Sequence, residues 1–187
     1  MKKDKRLSKP FKKQKYLAYY LLGLIDGEGC FSVAVKKQEG TRFGWVLDPV
    51  FHITQHKSAK AVLELAKEYF HCGRIIPKPG QEDTLQFIVE NRKQIAQKII
   101  PFLNKYKPII KARDFQLFKE IVEGLERKEH STLSGFKRLL QIAFSMNMRG
   151  KQRRYSLEKV LESLERSSET LRQTPAQAGD DRVQPTQ

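Results

Sequence analysis

The chain has 187 residues, 39% hydrophobic and 30% charged, with a net charge of +15. That length and apolar content suit one domain with some tail at either end, and so large a cationic excess points to a polyanionic partner, nucleic acid first. Two cysteines, Cys30 and Cys72, exclude a disulfide framework and read as an intracellular context. No apolar run approaches the roughly 18 residues of a membrane helix, and no glycine-rich loop supports nucleotide hydrolysis.

Residues 1–14 read as a basic, flexible arm, since Met1 to Lys15 carries eight Lys or Arg against one Asp. Tyr16 to Asp26 is apolar on nearly every face, which predicts a helix buried on more than one side. Cys30 to Gln38 alternates, with Phe31, Val33 and Val35 on one face, and predicts a half-buried strand. Trp45 to Gln55 alternates again, with Leu47, Pro49, Phe51 and Ile53 opposed to Asp48, Val50, His52 and Thr54, so the two strands form a hairpin. Ser58 is placed to cap a helix running to about Phe70, with Val62, Leu65 and Tyr69 at helical spacing and Gly73 as its stop.

Arg74 to Lys78 and Thr84 to Glu90 predict two more strands around Pro79-Gly80. Asn91 caps a helix through Ile100. Pro108 precedes another over about 111–128, and further helices are expected over 133–146 and 156–164. Residues 166–187, rich in Ser, Thr, Gln, Pro and Asp, are expected to be a disordered polar tail. The order is α-ββ-α-ββ-α followed by extra helices. It predicts an α+β domain over 15–165, a four-stranded antiparallel sheet with helices on one face. The uncovered face would carry Ser32, Lys36, Gln38, Asp48, His52, Thr54, Arg74, Lys78, Thr84 and Gln86, donors and acceptors suited to base edges and phosphates. An ordinary solvated sheet face would carry a similar set.

The chemistry concentrates in Leu21-Leu22-Gly23-Leu24-Ile25-Asp26-Gly27-Glu28-Gly29. Gly23 and Gly27 lie four apart on one helix face, and each costs about 1 kcal/mol of helix propensity. Close approach of a second helix would offset that. Asp26 and Glu28 stand where the helix ends, with Gly29 as its stop, and carboxylates there oppose the helix dipole unless a cation reverses the sign. If the partner is the same helix of a second copy, two Glu28 side chains meet near a twofold axis, and divalent metal between them relieves their repulsion. Metal, charge stabilisation and twofold symmetry are what hydrolysis of both strands of a duplex needs. An amphipathic helix ending in a turn of common composition is the plain alternative.

Leu21 to Gly29 resembles the LAGLIDADG motif of homing endonucleases, differing mainly at Leu22, where that family often has a small residue. The element order matches the family's domain. Phe51-His-Ile-Thr-Gln55 resembles the end of its second strand, and Pro108 to Phe115 its later lysine-bearing segment. The resemblance covers roughly residues 15–147. It implies a site-specific endonuclease that makes a double-strand break in a near-palindromic target. Glu28 takes the place of the metal-binding acid, the Gly27 carbonyl also reaches toward the metal, and Mg²⁺ is the cofactor. Gln55 would hold water near the scissile phosphate. Lys111 best fits the family's lysine, and Lys107 competes with it. Asp26 is expected in a structural role near the helix end.

With one motif per chain, a homodimer is implied, its contact made by Leu22, Gly23, Asp26 and Gly27. Double-stranded DNA is the expected partner, inside a bacterial cytoplasm or an organelle, and no membrane association is expected. Two alternatives on the same fold stay open: an RNA-binding intron maturase, and a DNA-binding regulator without cleavage. His52, His56, His71 and Cys72 lack the spacing of a zinc site. Arg149, Lys151, Arg153 and Arg154, beside Tyr155, form a basic cluster that is either a backbone clamp or a solvated loop.

Overall fold

Four strands pair antiparallel in the order β1-β2-β4-β3, where β1 is Gly29–Lys37, β2 Trp45–His56, β3 Arg74–Lys78 and β4 Gln81–Val89. The computed structural model describes residues 14–146 and 154–173. The register sets Phe31 against Phe51 and Phe51 against Val89 on one face, and Cys30, His52 and Ile88 in a row on the other. Period-two alternation therefore sorts each strand as its sequence indicates. Phe31, Phe51, Ile53, Phe87 and Val89 are buried, at 1% exposure or less, on the helix-covered face. Phe31 sits at the centre, 5.5 Å from the Phe51 ring and 5.3 Å from that of Phe118. Removing one such ring costs about 3–5 kcal/mol.

Helix α1, Gln14–Glu28, runs directly into β1 without an intervening loop. Gly29 makes that junction possible: a Cβ there would stand 2.5 Å from the Ile25 carbonyl oxygen. Helix α2, Lys60–Phe70, buries Leu63, Leu65, Ala66 and Phe70. The expected stripe of Val62, Leu65 and Tyr69 is thus rotated: Val62 and Tyr69 are half-buried and Leu63 lies inside. Ser58 is not the cap. His56 Nδ1 accepts from the Ser58 amide at 3.2 Å over a short 3-10 turn, Lys57–Ala59. The left-handed residue that ends α2 is His71, at φ 48°. Gly73, at φ 72°, is required for a different reason, because a Cβ would lie 2.6 Å from the Ile88 carbonyl oxygen.

Asn91 caps the next helix as expected, accepting from the Gln94 amide at 3.0 Å. That helix comprises α3 (Arg92–Gln94), a π turn (Ile95–Ile99) and α4 (Ile100–Tyr106). The π turn precedes Pro101, which has no N–H to continue the α ladder. Lys107, at φ 57°, ends α4. Helix α5, Ala112–Glu126, and α6, Leu133–Ser145, pack beneath the sheet. Helix α7, Leu157–Gln173, closes the mouth of the β1–β2 hairpin. Trp45 Nε1 donates to Ser163 Oγ at 3.1 Å, and the Trp45 ring meets Tyr155 edge-on. The helix passes the boundary expected at 166; its first half is anchored by Val160 and Leu164, both fully buried. Residues 1–13, Arg149, Lys151 and Arg153 of the basic cluster, and residues 174–187 lie outside the described residues.

Candidate active site and nucleic-acid face

The C-terminal end of α1 carries the two acids in different settings. Asp26 is turned into its own chain. Its carboxylate accepts from the backbone amides of Ile109 and Ile110, each at 3.0 Å, and of Lys111 at 2.9 Å. Pro108 breaks the helical path and α5 begins only at Ala112, so these amides have no helical partner. Asp26 supplies one from a distant element. Partial burial pushes its carboxyl upward, but the three amides and the Lys111 charge outweigh this and hold it below its ordinary value. Glu28 is exposed, and its carboxylate makes no hydrogen bond or ion pair among the described residues.

The three motif glycines also separate. Gly29 is locked by Ile25, whereas a Cβ at Gly23 or Gly27 would meet nothing within 4 Å, and both are exposed. Packing among the described residues therefore does not explain Gly23 or Gly27. Leu22, expected on the same pairing face, instead packs against the chain's own core. It stands about 100° from Gly23 around the helix axis, toward Ala18 and Ile25. Asp26 is likewise engaged within the chain. The exposed face of α1 runs through Tyr16, Tyr20, Gly23 and Gly27.

Gly29 pairs with Ile53, so Gln55, two residues farther along β2, falls beside the end of α1. Lys111 is half-buried and tied through its amide to Asp26; Lys107 is exposed at the end of α4. Among the described residues no group of three or more His, Cys, Asp or Glu could hold a metal. At the end of α1 one chain offers one carboxylate without a partner among the described residues, Glu28, which follows Gly27 in the chain. That set fits a cation that keeps several waters and takes further oxygens from a phosphate.

The open face of the sheet carries most of the expected side chains. Lys36 pairs with Asp48 at 2.5 Å, and Arg74 with Glu90 at 2.5 Å. Thr54 stands opposite Gln86, and His56 opposite Thr84. Gln86 departs from its expected exposure: at 8% it is buried, and its Nε2 donates to Thr54 Oγ1 at 3.2 Å. Gln38 lies one residue beyond β1, its amide held by the Gly44 carbonyl at the hairpin mouth. Lys78 follows a register irregularity at Pro77. Burial, then the Lys78 charge, lowers the His52 pKa. Burial raises the Cys30 thiol, with Lys111 and Lys78 opposing and Asp114 reinforcing, so the start of α5 and the open face share one electrostatic neighbourhood.

A family model described as LAGLIDADG endonuclease matches residues 21–122, the stretch from the motif helix through α5. The chain belongs to the LAGLIDADG endonuclease family. It is 38% identical over 146 residues to homing endonuclease I-ApeII of Aeropyrum pernix, across 76% of this chain and 86% of that one. It is 35% identical over 118 residues to DNA endonuclease I-CeuI of Chlamydomonas moewusii, across 61% of this chain and 54% of that one. Among solved structures, the archaeal intron-encoded homing endonuclease I-Vdi141I complexed with DNA superposes with TM-score 0.78 at 39% identity, covering 83% of this chain and 99% of that one. The I-CeuI complex with DNA superposes with TM-score 0.75 at 29% identity, covering 81% and 77%.

A LAGLIDADG domain is thus the frame for the residues named above. Three features of it escaped the sequence reading: the Asp26 clamp on residues 109–111, the cap by His56, and the burial of Gln86. The first left a trace, since Pro108 strands the amides that follow it and an acid near a helix end is available to take them. The others depend on which residues the register sets side by side.

Proposed function

We propose that this LAGLIDADG protein is a site-specific homing endonuclease that acts inside the cell as a homodimer. It cuts both strands of a long, near-palindromic duplex with Mg²⁺ as cofactor. The observation that carries this reading is the contrast along α1. Gly23 and Gly27 leave an open notch that nothing fills among the described residues, next to a Glu28 that has no hydrogen bond or ion pair among them. A second copy of α1 fits such a notch by close backbone approach, and the twofold axis then brings two Glu28 carboxylates together.

Glu28 and the Gly27 carbonyl hold the divalent cation, which supplies positive charge to the phosphate and favours ionisation of the attacking water. Gln55 orients that water by hydrogen bonding. Lys111, set in place by the Asp26 clamp, lends charge to the phosphate as negative charge develops on it. Lys107 is the alternative in that role. The open sheet faces lie along the major groove. Ser32, Lys36, Gln38, Asp48, His52, Thr54, Arg74, Lys78 and Thr84 contact bases or phosphates, while Gln86 orients Thr54 from beneath.

Selection of cleaved sites from a randomised duplex library with Mg²⁺ tests the activity and gives the target. Glu28→Gln is expected to abolish cleavage and leave binding of that target intact. Full cleavage by this variant, or a monomer on the duplex, refutes the reading.

A further inference from the structure

The turn between α4 and α5 presents Ile109 and Ile110 to solvent at 84% and 78% exposure, the highest of the exposed large apolar side chains among the described residues. A loose loop would let them fold back, but this one is held. The amides of Ile109, Ile110 and Lys111 are all bound to Asp26, and Pro108 on the other side is buried. The tip is therefore fixed, apolar at its apex and flanked by Lys107 and Lys111. Asp26 stands two residues before Glu28 in the last turn of α1, so the tip is docked at the helix end that also carries the candidate acid.

Charge decides between the two bodies that could cover this tip. A second copy brings the same lysines and the same +15 net charge toward it. A duplex brings phosphates on either side of a groove whose stacked base faces accept an apolar side chain between them. Sheets seated in successive major-groove segments leave the minor groove facing the protein between them. Apolar side chains entering that groove part base steps and kink the duplex.

We propose that Ile109 and Ile110 form an apolar wedge that enters the minor groove near the cut phosphates and opens a central base step, with Lys107 and Lys111 on the flanking phosphates. This rests on the endonuclease reading above. It makes the central base pairs a site of indirect selection, in which steps that unstack readily, TA and CA/TG, are preferred without being touched by a polar side chain.

The test uses the selected target with 2-aminopurine at each central position in turn, bound without divalent metal. Wild type is expected to raise the fluorescence at one or two positions. An Ile109→Ser/Ile110→Ser double variant is expected to bind within about threefold of wild type, because phosphate and sheet contacts remain. It should give no rise and cut the intact target about tenfold more slowly. A mismatch at the wedged step should restore the rate. No rise with a wild type that cleaves overturns the wedge alone. A double variant that sediments at half the wild-type mass also overturns it, assigning the pair to the subunit contact. Failure of wild type to cleave any duplex removes the endonuclease reading and the wedge together.

Discussion

Asp26 and Lys111 are joined at 2.9 Å, carboxylate to backbone amide, across 85 positions of sequence. Because the same carboxylate takes Ile109 and Ile110, the end of α1 and the start of α5 are one mechanical unit. Glu28 and Lys111 therefore cannot drift apart without breaking charge-assisted hydrogen bonds. Asp26, spent on backbone amides of its own chain, thus ties the segment that bears Lys111 to the helix end that bears Glu28.

Asp26→Ala should lower unfolding free energy by about 2 kcal/mol, the upper range for loss of a helix-capping side chain. It should also slow cleavage while leaving DNA affinity nearly intact, since the sheet face is untouched. Denaturant unfolding and single-turnover cleavage on one preparation measure both. Unchanged stability would show the three hydrogen bonds to be energetically idle.

The same clamp has a pH signature. Asp26 in the folded chain titrates below its ordinary 3.8. A carboxyl lowered by folding contributes stability above its unfolded value and loses it as pH falls through its folded one. The stability gap between wild type and Asp26→Asn should be full above about pH 5 and shrink below about pH 4. Urea midpoints from pH 3 to 7 for both proteins check this. A gap that widens in acid reverses the sign and rejects the assignment.

Alternation made the strands and their buried faces legible, because Phe31, Val33, Phe51, Ile53, Phe87 and Val89 follow the two-residue period that the pleat imposes. The motif could be read for the same kind of reason: two glycines four apart and an acid at a helix end are local facts. What stayed hidden is relational. Gln86 has the right parity for the open face yet is buried, which depends on its place on an inner strand beside Thr54. Asp26 and Lys111 are linked across 85 positions, a pairing no local pattern announces. The length of α7 was missed because the apolar positions that hold it to the core, Leu157, Val160, Leu161 and Leu164, all lie in its first half, and a polar, Ser- and Thr-bearing sequence follows.

The motif glycines should respond in opposite ways. Gly23→Ala adds a methyl group where nothing lies within 4 Å. The isolated chain should gain up to about 1 kcal/mol of helix stability, while the proposed α1–α1 contact weakens. Gly29→Ala places its methyl group against the Ile25 carbonyl and should destabilise folding itself. Thermal unfolding at low concentration and sedimentation across a concentration series separate the two effects. A destabilised Gly23→Ala monomer would point to a role inside the chain.

The two lysines can be told apart by the kind of loss each causes. Lys111 is half-buried and held by Asp26, so its charge is positioned before substrate arrives. Lys107 is exposed, with nothing to fix its side chain among the described residues. A preorganised cation beside a developing charge contributes mainly in the transition state, whereas an exposed one contributes uniform phosphate binding. Lys111→Met should therefore lower the single-turnover rate by about 100-fold with little change in Kd. Lys107→Met should weaken binding and reduce the salt dependence of log K by about one, with the rate on saturated complex nearly unchanged. The reverse pattern would transfer the catalytic role to Lys107. It would also mean that the Asp26 clamp serves the shape of the 109–111 turn rather than the placement of charge.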